Sequence, residues 1–151
     1  MLHLHGEMDS WAHGLPPGTD KTRTHSEAAT DRRGVRMGIG RELMRGAGPV
    51  AVMGLLEQRE MYGYELVDAL SKETDGVLAM GQSTLYPLLY NLERKGLIRG
   101  VWRNASSGRR RRYYRLTAKG KKRLQAQQEQ WQELIGAMTN LGIVGTDPGN
   151  R

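Results

Sequence analysis

The residues best suited to binding chemistry lie in the stretch "NASSGRRRRYYRLTAKG", residues 104–120. Four consecutive arginines follow a Ser-Ser-Gly turn and lead directly into a pair of tyrosines. A guanidinium group offers a planar fork of donors that matches phosphate oxygens. The run could therefore bind a polyanion, although a charge run is more often an ordinary solvated face. The surrounding elements decide between these two interpretations.

The charge of the whole chain supports a polyanionic partner. The net charge is +7, and residues 94–128 hold 13 of the 23 Lys and Arg residues without a single Asp or Glu. The rest of the chain is net acidic. Such segregation produces a local positive field of the kind that binds phosphates. A membrane surface or an acidic protein could use the same field.

Several functional classes are disfavoured by what the sequence lacks. It contains no cysteine, which excludes disulfides, thiolate metal sites and a cysteine nucleophile. All histidines lie in the first 25 residues without helical spacing, so neither a metal site nor another cofactor is predicted from His3, His5, His13 and His25. No Gly-rich phosphate loop or carboxylate pair follows a strand, so an enzyme is not predicted.

The N-terminal region differs in composition from the rest. Residues 1–40 show neither helical nor strand periodicity and are predicted to be a disordered leader, with Met37 as an alternative native start. The start lacks the pattern of a signal peptide, and no apolar run approaches the roughly 20 residues of a membrane span. We therefore expect a cytoplasmic protein without a membrane partner.

Two helices are predicted before the basic block. Residues 49–58 are densely apolar, with Pro49 suited to a first helical turn, and predict a core helix. Residues 61–73 place Leu66, Ala69 and Leu70 on one face with Glu65 and Asp68 turned away, which predicts an amphipathic helix.

The third predicted helix carries an unusual polar face. Leucines 85, 88, 89 and 92 recur at helical spacing, Ser83 is a candidate N-cap, and Gly96 ends the helix. The opposite face offers hydroxyls, an amide and a cation, which can bind phosphates and base edges in a major groove. These residues are Thr84, Tyr86, Pro87, Asn91 and Lys95.

The basic run then falls on a hairpin. Residues 97–104 and 110–117 are predicted to be two short strands joined at "ASSG", with alternating side chains in the second. Three helices and a basic hairpin predict a mainly α fold, a winged helix-turn-helix with a two-stranded wing. The predicted division is a DNA-binding domain over 41–116, a C-terminal dimerisation helix over 117–142 and a flexible tail over 143–151.

Three motifs carry a family resemblance. "GLLEQREMYGYELVDAL", "STLYPLLYNLERKGLI" and "GRRRRYYRLTAKGKKRL" resemble, in order and spacing, the PadR family of bacterial transcriptional regulators. The resemblance covers about residues 43–142 and implies a homodimeric winged-helix repressor. It also implies DNA contacts for Tyr62, Tyr64, Ser83, Thr84, Tyr86, Pro87, Gly108, Arg109 and Arg110.

The last predicted helix begins at Thr117 as N-cap and has an apolar stripe. A lone helix beyond the winged core would leave this stripe exposed unless a second chain covers it. We therefore predict a homodimer that places two wings on a pseudo-palindromic DNA operator. The predicted dimerisation residues are Leu124, Gln128, Trp131, Leu134, Ile135, Met138 and Leu141.

The length resembles the short branch of the family, with a single C-terminal helix. Some members of that branch hold a flat hydrophobic drug between tryptophans at the dimer interface. The resemblance thus suggests a planar hydrophobic or phenolic effector beside Gln128, Trp131 and Met138, with ordinary packing of Trp131 as the alternative.

Two functions remain open from the sequence. The first is a sequence-specific DNA-binding repressor released by a small-molecule effector. The second is a protein-interaction adaptor that applies its basic face to an acidic partner. The hydroxyl-rich face of the third helix favours the repressor, because an adaptor would not need it.

Overall fold

The computed structural model describes residues 38–145, which form four helices and three short strands within that range. Along the chain they are α1 (Arg41–Gln58), β1 (Met61–Tyr62), α2 (Gly63–Lys72), α3 (Gln82–Arg94), β2 (Ile98–Asn104), β3 (Arg110–Leu116) and α4 (Ala118–Asn140). The predictions for the leader up to residue 37 and for the tail beyond residue 145 lie outside the described residues. The mainly helical, winged helix-turn-helix class is confirmed.

The first helix is longer than the sequence pattern indicates. The pattern predicts Pro49 in a first turn, but α1 begins at Arg41 and Pro49 lies inside it. The missing N–H of Pro49 removes one hydrogen bond. Packing on the adjacent turn compensates for it, because Gly48 is buried so close to α3 that a Cβ there would lie 3.1 Å from Leu88 Cδ1. Tertiary contact thus keeps the helix continuous.

The core lies where α1, α2 and α3 meet the sheet. Val52, Leu66, Leu85 and Leu89 are completely excluded from solvent, and leucines 70, 92 and 97 join them. Each fully buried aliphatic side chain contributes about 1.5–3 kcal/mol relative to an exposed one. The predicted inward faces of α2 and α3 are confirmed, with Leu88 packed at the margin of the core.

Glu65, which is predicted to turn away from the core, caps its own helix. Its carboxylate accepts a hydrogen bond from the Tyr62 backbone N–H at 3.4 Å and pairs with Arg59 at 2.7 Å. A carboxylate at the third helical position commonly satisfies a free N–H at the helix start in this way. The ion pair fixes the turn between α1 and α2.

The sheet has three antiparallel strands in the order β1-β3-β2. The predicted hairpin is confirmed, with Ile98 opposite Leu116 at its base and Asn104 opposite Arg110 near its tip. The two-residue β1 escapes prediction, because it is too short to show an alternating pattern. It pairs Met61 with Tyr114 and so ties the wing to the start of α2.

The last helix is attached at the base of the wing. Thr117 Oγ1 accepts a hydrogen bond from the Gly120 N–H at 3.0 Å, which confirms the predicted N-cap. The same hydroxyl donates to the Gly96 carbonyl at 2.7 Å, just beyond the end of α3. The start of α4 is thus fixed against the end of α3. Within residues 38–145, no helix is both long and apolar enough to cross a membrane.

Candidate nucleic-acid interface

The outward face of α3 carries polar side chains from its first turn to its C-cap. Ser83, Pro87 and Asn91 are exposed at every fourth position, and Lys95 is exposed at the C-cap. Ser83 is predicted to be the N-cap of α3, but the N-cap is Gly81, two residues earlier, and the helix begins at Gln82. Gln82 is buried, so packing rather than a capping hydroxyl sets the helix start. Ser83 is thereby left pointing outward in the first turn.

Thr84 and Tyr86 lie at the flank of this face rather than on it. Both are partly buried, so their predicted outward placement is only partly correct. Tyr86 packs against the start of α2, where a Cβ on Gly63 would lie 2.6 Å from the Tyr86 hydroxyl. Burial, with Tyr64 as a second cause, raises the pKa of Tyr86 above 10.0. The hydroxyl therefore stays protonated and can donate a hydrogen bond throughout the physiological pH range.

The start of α2 places two further tyrosines beside α3. Tyr64 is exposed, whereas Tyr62 is partly covered by the wing. The Tyr62 ring meets Tyr113 edge to face at 5.4 Å between centroids, and the Arg111 guanidinium lies 4.3 Å above it. Aromatic and cation–π contacts of this kind stabilise strand pairing. These contacts indicate that Tyr113 packs within the wing.

The tip of the wing exposes its arginines on a tight turn. Gly108 has φ of +83°, a conformation that side chains disfavour, and its N–H donates to the Ala105 carbonyl at 2.8 Å. Arg109 and Arg110 follow directly and are exposed. The Arg110 guanidinium lies 5.4 Å from the centre of the Trp102 ring. The tip thus presents two cations on a defined turn.

A partly buried ion pair joins the wing to α3. Arg112 Nη2 lies 2.6 and 2.8 Å from the two carboxylate oxygens of Glu93, in the last turn of α3. The same carboxylate accepts the Gly100 backbone N–H at 2.6 Å. Gly100 has no side chain, which leaves the space that the Arg112 guanidinium occupies. Glu93 therefore sets the position of both wing strands relative to the outward face of α3.

Comparison with known proteins identifies this arrangement. The sequence profile of the PadR-like transcriptional regulator family matches residues 52–126. An uncharacterized protein of Lysinibacillus sphaericus is 30% identical over 93 residues, which make up 62% of this chain and 85% of that protein. The chain belongs to the PadR-like family of transcriptional regulators.

Solved structures agree with the family. A PadR family transcriptional regulator from Eggerthella lenta is 35% identical, with a TM-score of 0.59 over 69% of this chain and 88% of that one. A PadR-like regulator from Bacillus cereus is 28% identical, with a TM-score of 0.61 over 69% and 99% of the two chains. The protein is thus a DNA-binding transcriptional regulator.

Two exposed residues of this PadR-like protein are missed by the sequence analysis. Tyr90 and Arg94 lie on the outward face of α3, three residues after Pro87 and Asn91 respectively. Tyr90 keeps 44% of its surface exposed, which is unusual for a tyrosine in a helix with a complete core face. Their helical spacing from Pro87 is the available signal. The charge of Arg94 adds to that of Lys95 at the end of the helix.

The residues predicted for dimerisation fall into three groups by exposure. Leu124 is 1% exposed and belongs to the core of its own chain, so its assignment to a partner helix is wrong. Trp131 and Met138 are partly covered within the single chain. The remaining predicted residues are exposed, and they are Gln128, Leu134, Ile135 and Leu141. The predicted effector residues are therefore not equally accessible, since Gln128 is exposed whereas Trp131 and Met138 are partly covered.

Proposed function

We propose that this PadR-like protein is a homodimeric repressor that binds a pseudo-palindromic operator. In each protomer α3 enters the major groove, where Ser83, Pro87, Asn91 and Lys95 face the bases and phosphates. The wing tip, with Gly108, Arg109 and Arg110, contacts the neighbouring backbone. Further phosphate contacts come from the junction of α2 and α3, which is lined by Tyr62, Tyr64, Thr84 and Tyr86.

The observation that carries this proposal is the combination of an outward polar face on α3 with a basic hairpin held against it. The Glu93–Arg112 ion pair fixes the position of the hairpin relative to α3. Side chains of α3 can reach base edges, whereas the arginines of the tip bind phosphates without reading sequence. The two elements therefore divide specificity and affinity between them.

Dimerisation is supported by the surface of α4. Leu134, Ile135 and Leu141 are 46%, 49% and 72% exposed, and the nearby Ile143 and Val144 are also exposed. Apolar side chains clustered at one end of a helix indicate an interface. A second copy of the chain supplies a matching helix and a second wing, which a two-fold operator requires.

Repression is part of the proposal because a winged unit bound at a promoter blocks access to it. Residues 38–145 hold the winged unit and one further helix. Occupying a promoter needs no additional domain, so repression is the simplest action for this unit.

Operator binding tests the proposal. In fluorescence anisotropy with its own promoter region, the protein is expected to bind at least a hundredfold more tightly than to random duplex. Asn91→Ala should reduce this preference, whereas Arg109→Ala with Arg110→Ala should weaken binding to all duplexes and flatten the salt dependence. Equal affinity for promoter and random duplex would refute the repressor and favour an adaptor with an acidic partner.

Release by a planar small molecule is the finer part of the proposal. Trp131 and Met138 lie on one side of α4 with part of their surface open, and Gln128 is exposed nearby. A flat aromatic compound stacked on Trp131 should quench its emission and lower operator affinity. Trp131→Phe should abolish the quenching, with Trp102 emission as the internal control. An operator affinity that no such compound changes would remove the effector from the proposal.

A further inference from the structure

The outer face of the wing sheet carries arginines directly opposite one another. In the register of β2 and β3, Arg99 faces Arg115 and Arg103 faces Arg111. Between them lie Val101 and Tyr113. The alternate residues of β3, Tyr114 and Leu116, are buried in the core. All four guanidinium groups therefore share the face that points away from the core.

This arrangement costs stability. Like charges directly opposite each other across an antiparallel pair are destabilising. Arg103 is partly neutralised by Glu60, 2.6 Å away, and Arg111 lies over the Tyr62 ring. Arg99 and Arg115 are exposed and form no ion pair with any residue between 38 and 145. An anion placed between such a pair would convert repulsion into two charge-assisted contacts.

The outer face of the wing sheet adjoins α2 and α3, the helices proposed to contact DNA. Arg111 stacks on Tyr62, the last residue before α2. The next residue, Gly63, packs against Tyr86 of α3. The arginines of the outer face are thus connected through Tyr62 to the junction of α2 and α3. Arg99 and Arg103 are four residues apart, which corresponds to about 13 Å along a strand.

We propose that this outer face, formed by Arg99, Arg103, Arg111 and Arg115, is a second phosphate-binding surface. It binds the backbone of the DNA that flanks the half-site contacted by α3 and the wing tip. The proposal rests on the proposed function and extends it from the operator core to the adjoining duplex. Paired guanidinium forks suit backbone phosphates, because each can engage two oxygens of one phosphate.

The experiment compares two duplexes and two matched variants of the full chain. One duplex contains the operator alone, and the other adds about ten base pairs of unrelated sequence on each side. The test variant is Arg99→Gln with Arg115→Gln. The control is Arg41→Gln with Arg45→Gln, which removes the same charge from exposed positions of α1.

For the extended duplex, the test variant should lose about tenfold in affinity. The slope of log K against log salt should fall by about 2, because each phosphate contact contributes roughly 0.9. Binding to the short operator should stay within about twofold of the wild type. The control variant should retain its affinity for the extended duplex.

Stability provides a second readout. Because removal of opposed like charges relieves repulsion, the test variant should melt at the same temperature as the wild type or higher. Weaker binding by a protein of equal or greater stability separates a lost DNA contact from a damaged fold.

Three results would overturn the proposal. Unchanged affinity for the extended duplex would show that the face binds no DNA. Equal losses on both duplexes would place the arginines within the half-site contact. Loss only in the capture of a second, separately added duplex would assign the face to bridging between DNA molecules. Failure of the proposed function would look different, because the wild type itself would not prefer the operator.

Discussion

Helices α3 and α4 are both amphipathic, but their apolar faces are buried to different extents. In α3, the side chains of Leu85, Leu89 and Leu92 are at most 4% exposed, and Tyr90 is its one large exposed apolar side chain. In α4, Leu124 near the start is the large apolar side chain buried to that degree, while Leu134, Ile135 and the C-cap residue Leu141 remain exposed. A helix that is sealed by its own chain can present hydrogen-bonding groups to DNA. The exposed apolar side chains at the end of α4 form the surface that the proposed dimer would cover.

The largest expected effect comes from charging the open part of α4. Leu134→Glu with Ile135→Glu should prevent dimerisation, because burying two carboxylates between chains carries a desolvation cost of several kcal/mol per ion. Operator affinity should fall by about 10²-fold or more, since the second half-site contact loses its effective concentration. Sedimentation velocity and anisotropy measure the two effects.

A matched control introduces the same two negative charges at polar positions of α4 instead of apolar ones. Gln125→Glu with Gln132→Glu adds the same two charges at exposed positions of α4 that are polar in the wild type. This variant should remain dimeric. If the Leu134/Ile135 variant also stayed dimeric, the protomers would have to meet through another surface, and the contrast between α3 and α4 would lose its meaning.

The second largest expected effect is a difference in folding stability between substitutions at the two ends of α4. Leu124→Ala should destabilise the fold by about 2–5 kcal/mol, as for other buried leucines. Leu141→Ala should cost no more than about 0.5 kcal/mol, because surface substitutions rarely cost more. Both are measured by urea unfolding in the Leu134→Glu, Ile135→Glu background, so that dimerisation does not contribute. Similar losses at both positions would mean that the far end of α4 packs within its own chain.

Leu124 also shows where sequence reasoning stops. The spacing that joins Leu124 to Trp131 and Met138 correctly predicts one face of a helix. The spacing alone does not show whether α1 of the same chain or a partner chain covers that face, because this depends on the position of α4 relative to the rest of the fold. The burial of Leu124 follows from the attachment of the helix start through Thr117 to Gly96.

Local chemistry is predicted best where it involves neighbours in sequence. The cap at Thr117 and the turn at Gly108 depend on residues a few positions apart, and the structure has both. The start of α3 at Gln82 and the continuation of α1 through Pro49 depend on packing between distant segments, and the sequence pattern mispredicts both. The pairing of β1 with β3 is likewise non-local.

The wing is the most predictable part of the candidate site. The alternation of Arg111, Tyr113 and Arg115 with Arg112, Tyr114 and Leu116 predicts the two faces of a strand from the residue pattern alone. The partner of Arg112 cannot be anticipated in this way, since Glu93 lies 19 residues away on another element. The outer arginine pairs likewise depend on the register of β2 against β3, which the alternation does not specify.

The smallest expected effect concerns Tyr86, where the sealed side of α3 meets α2. Burial raises the pKa of Tyr86 above 10.0, so the folded protein holds this proton at a pH where the unfolded chain has released it. The unfolded state then binds fewer protons than the folded state, and stability must fall as the pH rises above about 10. Below that pH the group contributes no pH dependence.

Tyr86→Phe is the matched variant, because it keeps the ring against Gly63 and removes only the ionisable group. The difference in unfolding free energy between wild type and variant should be constant from pH 7 to 9. It should then shift against the wild type as the pH rises further, and urea unfolding at each pH measures it. If the difference in unfolding free energy stayed constant up to pH 11, the Tyr86 hydroxyl would be exposed to solvent. The packing of α3 against α2 would then exclude water less completely than the packing around Leu124 does.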